Sequence, residues 1–188
     1  MHRGVFMKTA LNFVAVATLL VAPSLSATQS SAQSDNPAVL PGIQASAGEL
    51  SPDVQLYMGR GDELSGHLRY DAAAREYARA ADVARREGHL PSGTRWKLAN
   101  AHYYNGNLAG AAAALDQLAD EAGQVGDLEV EALSIYYAAW LDGKAGRKTE
   151  MAARVARLEG LLRSRYMPVA VRDRLSDWLK TSREVAIK

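Results

Sequence analysis

Residues 96–119 read WKLANAHYYNGNLAGAAAALDQLA, and this stretch decides the fold. The residues before and after Asn105-Gly106-Asn107 are mostly helix formers, whereas this tripeptide is made of turn-forming residues. The segment that begins at Leu108 is nearly all Ala and Leu, so it can pack closely against the helix before it. We therefore predict a helical hairpin, and the rest of the chain after residue 50 reads as versions of the same unit.

The composition supports an all-α fold. Ala, Leu, Arg and Glu dominate after residue 50, and the whole chain of 188 residues has only six Pro and no Cys. These abundant residues favour helices, and a chain without Cys must be stabilised by packing. Helices are predicted over residues 54–66, 70–86, 94–104, 108–122, 128–141, 149–165 and, as a final capping helix, after Pro168. Turns are predicted around Gly88, Gly123 to Gly126, and Asp142 to Arg147.

The N-terminus has the features of an export signal. Arg3 and Lys8 precede an apolar run over residues 10–22, which is too short to span a bilayer. Small residues follow, and cleavage is predicted after Ala32, or earlier, after Ser26 or Ala27. The alternative is an uncleaved signal anchor. We divide the chain into a signal peptide (1–32), a flexible linker (33–50) and a helical domain (51–188), and we expect an exported protein, periplasmic or secreted, from a bacterium.

The charge of the chain is polarised along the sequence. Residues 33–146 carry nine Lys and Arg against sixteen Asp and Glu, whereas residues 147–188 carry eleven against five. The chain without its signal is therefore almost neutral, which argues against nucleic-acid binding. The basic third could meet an anionic membrane, a cell-wall polymer or an acidic protein. Alternatively, it is a solvated helix face, or it pairs with the acidic part of a second copy in a homo-oligomer.

A repeated pattern of large and small residues runs through the helical part. In the second helix pair it comprises Leu98-Ala99, Tyr103, Gly106, Leu108, Ala111, Leu115 and Leu118. The first pair matches at Tyr57, Gly61, Ala73, Tyr77 and Ala80, and the third at Ala139, Gly146, Met151, Val155 and Leu158. The units recur at about 38 and then about 40 residues. This pattern resembles the tetratricopeptide repeat (TPR) family. The resemblance implies a right-handed α-solenoid of about three repeats that binds a protein or peptide on its concave side. The alternative is an ordinary alanine-rich helical bundle.

An aromatic cluster is the predicted binding site. Trp96 and Tyr103 lie seven residues apart with Asn100 between them, so the three share one helix face. The family resemblance implies that the first helix of each pair lines the groove, which adds Tyr136 and Trp140. Aromatic rings with an amide can hold an extended peptide. Some of these residues could instead belong to the core, and for Tyr104 and Tyr137 we predict a core position.

The sequence predicts no catalytic residue, no metal site and no cofactor. His67, His89 and His102 are scattered and have no Cys to join them, so a zinc site is not expected. We therefore expect a non-catalytic scaffold or adapter of the cell envelope. One alternative is an envelope hydrolase acting on cell-wall material, in which Asp62 or Glu63 would meet His102. Another is a structural protein that binds the wall or an anionic membrane through its Arg-rich end.

Overall fold

The computed structural model describes residues 51–186, and every regular element in that range is an α-helix. The predicted all-α class is therefore confirmed. The helices are α1 (Pro52–Gly66), α2 (Tyr70–Arg86), α3 (Ser92–Tyr104), α4 (Leu108–Val125), α5 (Leu128–Lys144), α6 (Lys148–Leu162) and α7 (Val169–Ala186). The predicted signal peptide and linker lie outside the described residues.

Local capping chemistry explains several helix ends. The Ser51 hydroxyl accepts a hydrogen bond from the Val54 N–H at the start of α1, and the Asp127 carboxylate accepts one from the Val130 N–H at the start of α5. Both caps were predicted. Gly123, however, was wrongly placed at a helix end. It lies inside α4, because Gly126 (φ 76°) takes the left-handed position that ends this helix.

The predicted turn at Asp142–Arg147 is also partly wrong. Helix α5 continues through Asp142 and Gly143 to Lys144, and only the residues after Lys144 form the turn. The physical reason is that the Asp142 carboxylate is buried and held by arginines, which fixes its backbone within the helix. The predicted end of α6 was also too late, since the helix stops at Leu162.

The three turns within the helix pairs have the same geometry. One residue in each turn is left-handed: Leu68 (φ 58°), Gly106 (φ 76°) and Gly146 (φ 71°). The next residue's N–H donates to the carbonyl five positions earlier, at 2.9 Å: Arg69 to Leu64, Asn107 to His102, and Arg147 to Asp142. This is the Schellman pattern of helix ends. The same geometry also ends α2, at Gly88, and α4, at Gly126, so it recurs after every helix from α1 to α5.

Leu68 occupies a conformation that the four other turns of this geometry give to glycine. A left-handed backbone costs an L-residue about 1–2 kcal/mol. The Leu68 side chain is 72% exposed, so its packing offsets little of this cost. We expect Leu68→Gly to raise the free energy of unfolding by about 1 kcal/mol in urea titrations, after the entropic cost of glycine. Leu56→Ala, at an exposed helical position, is the control and should change stability little. A less stable Leu68→Gly variant would contradict the prediction.

Packing occurs mainly between helices that are consecutive in the sequence. Because short turns join the helices of each pair, the two run antiparallel. Ala73 and Ala111, the small residues predicted at close helix approaches, are fully buried. At the C-terminal end, α5, α6 and α7 share one apolar cluster that includes Ile135, Leu158 and Leu175. Of the predicted α7 stripe, Leu175 and Leu179 are buried and Trp178 is half-buried.

Gly61 allows α1 and α2 to meet. A Cβ atom at this position would lie 2.4 Å from Cε1 of Tyr77, and the Tyr77 hydroxyl donates to Asp62 at 2.7 Å, which restrains the ring. We expect Gly61→Ala to cost about 1–3 kcal/mol through overpacking. Gly59→Ala in the same helix meets no atom within 4 Å and should gain about 1 kcal/mol from helix propensity. Chemical denaturation of both variants measures the difference, and equal effects would be inconsistent with this close contact.

Candidate functional site

Four of the five predicted site residues surround one recess between α3 and α5. Trp96, Asn100 and Tyr103 come from one face of α3, and Trp140 comes from α5. The floor is formed by Ala99, Leu115, Tyr137 and Leu141. The recess has a volume of only about 20 Å³, enough for a single water. It is too small to enclose a substrate, so a ligand here would lie across the surface.

The predicted site residues differ in how far they are exposed. Trp96 is only 8% exposed and packs against Tyr137, with ring centroids 5.1 Å apart, so it belongs largely to the core. Asn100, Tyr103 and Trp140 are half-buried and present part of their surface to solvent. These three side chains are therefore the accessible part of the recess.

Tyr136 does not line this recess. Its ring centroid lies 4.5 Å from that of Tyr137 and 4.5 Å from that of Trp178 on α7. Tyr136 thus helps to attach the last helix, and burial raises the pKa of its hydroxyl. The core prediction is confirmed for Tyr137, which is buried, but it is wrong for Tyr104, which is 54% exposed. Tyr104 sits in the last turn of α3, where its ring lies over α2 at the edge of the core.

The rings extend beyond the recess as a continuous row over three helices. Tyr70 of α2 stacks on Tyr104 at 5.4 Å, Tyr104 meets Tyr103 at 5.4 Å, and Tyr103 meets Trp140 at 5.9 Å. We call Tyr70, Tyr104, Tyr103 and Trp140 the aromatic row. The Lys144 ammonium lies 5.2 Å from the Trp140 ring centroid and 5.8 Å from that of Tyr103. Sequence reasoning missed Tyr70 and Lys144. Tyr70 starts a second helix, and only the packing of α2 on α3 brings it to Tyr104.

Three arginines of the basic third, Arg147, Arg154 and Arg157, bind acids of the preceding part of the same molecule. Arg154 of α6 contacts Asp116 of α4 at 2.5 Å and also Asp142 of α5. Arg157 contacts Asp120 at 2.8 Å and Glu131 at 2.9 Å. The acidic and basic parts of the sequence therefore form ion pairs between neighbouring helices. These two arginines are not available to an external partner without breaking internal ion pairs.

A second, more open recess of about 510 Å³ lies between α2 and α4. Its most buried polar group is Arg95, which binds the Glu121 carboxylate through two nitrogens at 2.8 and 3.2 Å. Asp82 at its rim pairs with Arg85 at 3.3 Å. Because opposite charges in this recess bind each other, it offers no strong field of one sign to a ligand.

Asp62 and His102, two of the residues that the alternative hydrolase hypothesis would bring together, have other contacts. Asp62 accepts hydrogen bonds from Tyr77 at 2.7 Å and from Lys97 at 2.5 Å. Burial, followed by the bond to Asp62, raises the pKa of the Tyr77 hydroxyl well above its usual value, so Tyr77 remains a donor. Burial lowers the pKa of His102, and the opposing effect comes from Asp71 of α2. Neither recess described above is lined by Asp62, Glu63 or His102.

The pKa of His102 implies a pH-dependent stability. Because burial lowers this pKa in the folded state, the unfolded chain takes up a proton first as the pH falls through about 6.5. The free energy of unfolding should therefore decrease from pH 7.5 to pH 5.5, and His102→Gln should make this decrease smaller. Denaturation curves at the two pH values test this, with the exposed His67→Gln as control. Equal pH dependence in the His102→Gln variant and the parent would contradict it.

Within residues 51–186 there is no group of three or more His, Asp or Glu side chains placed to hold a metal ion. None of the described helices combines the length and the apolar character that a membrane span requires. Comparison of the chain with known protein families, with curated proteins and with solved structures gives no match.

Proposed function

We propose that residues 51–188 form a tetratricopeptide-like right-handed α-solenoid that acts as a non-catalytic scaffold or adapter in the bacterial cell envelope. Two observations support the repeat. Short turns join consecutive helices from α1 to α6, and each helix packs mainly on its neighbours in the sequence. Both are expected of a repeat array, in which each unit completes the core of the next.

The observation that carries the binding role is the aromatic row with Asn100 beside it. Asn100 and Tyr103 come from the first helix of the second pair, and Trp140 comes from the first helix of the third pair. These first helices would line the concave side of such a solenoid. Aromatic rings bury much area at a small cost in conformational entropy, and an amide can pair with a peptide backbone. A protein or peptide segment lying across the row is the ligand that this surface fits best.

Site-specific photo-crosslinking in the native bacterium tests this role. A photoreactive residue at Asn100 or Lys144 should give a discrete adduct with a partner, whereas one at the exposed Ala113 of α4 should not. Asn100→Ala should then reduce the yield of the adduct formed from position 144. The thermal midpoint of the Asn100→Ala variant should stay near that of the parent. Adducts of equal yield from all three positions, or none from the row, would contradict the proposed groove.

Export is proposed from the N-terminal sequence. Mass spectrometry of the protein from a periplasmic extract should find a chain that begins at Ala27, Thr28 or Gln33. An intact Met1 in a membrane fraction would instead favour the signal anchor. A full-length chain in the cytosol would contradict export altogether.

A further inference from the structure

The loop between α6 and α7 presents an unusual set of exposed side chains. Tyr166 is 70% exposed and Val169 is 65% exposed, although both are large apolar residues. Arg163 and Arg165 are exposed beside them, and the Arg165 guanidinium lies 4.6 Å from the centre of the Tyr166 ring. We call Arg163, Arg165, Tyr166 and Val169 the basic tip. It lies outside the aromatic row and uses none of its residues.

The basic tip is held in place by the residues around it. Met167, between Tyr166 and Val169, is only 2% exposed and anchors the loop in the apolar cluster of α5, α6 and α7. Arg172 of α7 donates hydrogen bonds to the carbonyls of Leu162, Ser164 and Met167 at 3.1, 2.8 and 3.3 Å. One buried side chain and one arginine thus fix the loop from inside, so the exposed side chains do not fold back onto the domain.

The charge around the basic tip is positive. Residues 163–174 contain four Arg and one Asp, which gives a net charge of +3. Asp173, the single acid, lies one helical turn beyond Val169. Arg172 faces the loop carbonyls, and Arg174 is exposed on α7. The basic tip itself therefore carries two exposed arginines and no acid.

We propose that the basic tip docks on the surface of an anionic lipid bilayer. Arginines bind lipid phosphates, a tyrosine ring is favourable at the level of the headgroups, and a valine side chain gains by entering the acyl boundary. The combination distinguishes a bilayer from an anionic wall polymer, because the polymer would match the arginines but would give Tyr166 and Val169 no apolar medium. The docking would hold the domain beside the membrane and leave the aromatic row free for a partner.

Sedimentation of the full chain with vesicles tests this proposal. At low salt, vesicles of phosphatidylglycerol with phosphatidylcholine should pellet more of the protein than vesicles of pure phosphatidylcholine do. Arg163→Ser with Arg165→Ser should weaken partitioning by about 30-fold, and Tyr166→Ser with Val169→Ser by roughly fivefold. Arg69→Ser and Val125→Ser are matched controls, since Arg69 is exposed and Val125 is 64% exposed. All variants carry the same N-terminus, so any binding through residues 1–50 is common to them.

Three results would overturn the proposal. They are equal binding to both vesicle types, tip variants that bind as well as the controls, and pelleting with purified cell-wall polymer but not with vesicles. Thermal midpoints and circular dichroism verify that the tip variants are folded. Vesicle binding and the proposed scaffold role are tested separately. If the two surfaces act independently, crosslinking at Asn100 should be the same in the tip variants and in the parent.

Discussion

Replacing Asp142 with alanine is expected to lower the free energy of unfolding by about 3–5 kcal/mol. The Asp142 side chain is completely buried, and its two oxygens face different arginines: Arg147 at 2.5 Å and Arg154. Alanine would remove the acceptor and leave both guanidinium groups partly buried beside an apolar methyl. Removing one partner of a buried ion pair costs far more than the pair itself contributes, because the remaining charge loses its compensation. Here Arg147 loses its acid, whereas Arg154 keeps its ion pair with Asp116.

Thermal and urea unfolding of the variant provide the measurement, and the chain offers a matched control. Asp177 forms an ion pair with Lys180 in which both side chains are more than 70% exposed. Asp177→Ala should therefore change stability by less than about 1 kcal/mol. A double-mutant cycle with Arg154→Met should recover part of the loss. If Asp142→Ala and Asp177→Ala were equally mild, the buried ion pairs would not be structural elements of this domain.

Trp96→Ala is expected to destabilise the domain by about 3–5 kcal/mol, because it removes a large side chain from the core. Trp96 is almost wholly buried between α3, α4 and α5, and it packs on Tyr137. Asn100→Ala, one helical turn away, removes a half-buried polar side chain and should change stability by no more than about 0.5 kcal/mol.

Circular dichroism during urea titration measures both variants. A Trp96→Ala variant as stable as the parent would show that the cavity collapses or that the ring is not part of the core. The contrast also determines how the aromatic row can be tested. A loss of partner binding in Trp96→Ala would confuse unfolding with recognition, so Asn100 and Lys144 are the positions at which binding can be examined in a folded protein.

The helices could be predicted because their signals are local. Ser51 and Asp127 cap helices through hydrogen bonds to residues three positions away, and Gly106 and Gly126 supply the left-handed conformation that ends a helix. The error at Asp142-Gly143 comes from side-chain contacts beyond the helix itself. Asp142-Gly143 has the composition of a turn, yet arginines from the following turn and helix hold Asp142 in the helix.

The candidate binding site was predictable only in part. The seven-residue spacing of Trp96 and Tyr103 placed them on one face of α3, but spacing does not tell how deep each ring lies. Tyr104 and Tyr137 were both expected in the core, yet only Tyr137 is buried, since helices on both sides cover it. Tyr70 belongs to the aromatic row because it contacts Tyr104, which lies 34 positions later in the sequence. No local pattern encodes this contact.

The sequence by itself determined that the described part of this protein is helical, where most of its helices begin, and that Gly106 and Gly146 recur in equivalent turns. Those properties depend on hydrogen bonds within a few residues. The tertiary structure alone decided which aromatic rings are core and which are surface, and that Arg154 and Arg157 bind acids of α4 and α5. It also decided that Tyr166, in the loop between α6 and α7, and Val169, the first residue of α7, are exposed. Burial and ion pairing depend on distances between helices, and these are set only when the whole chain packs.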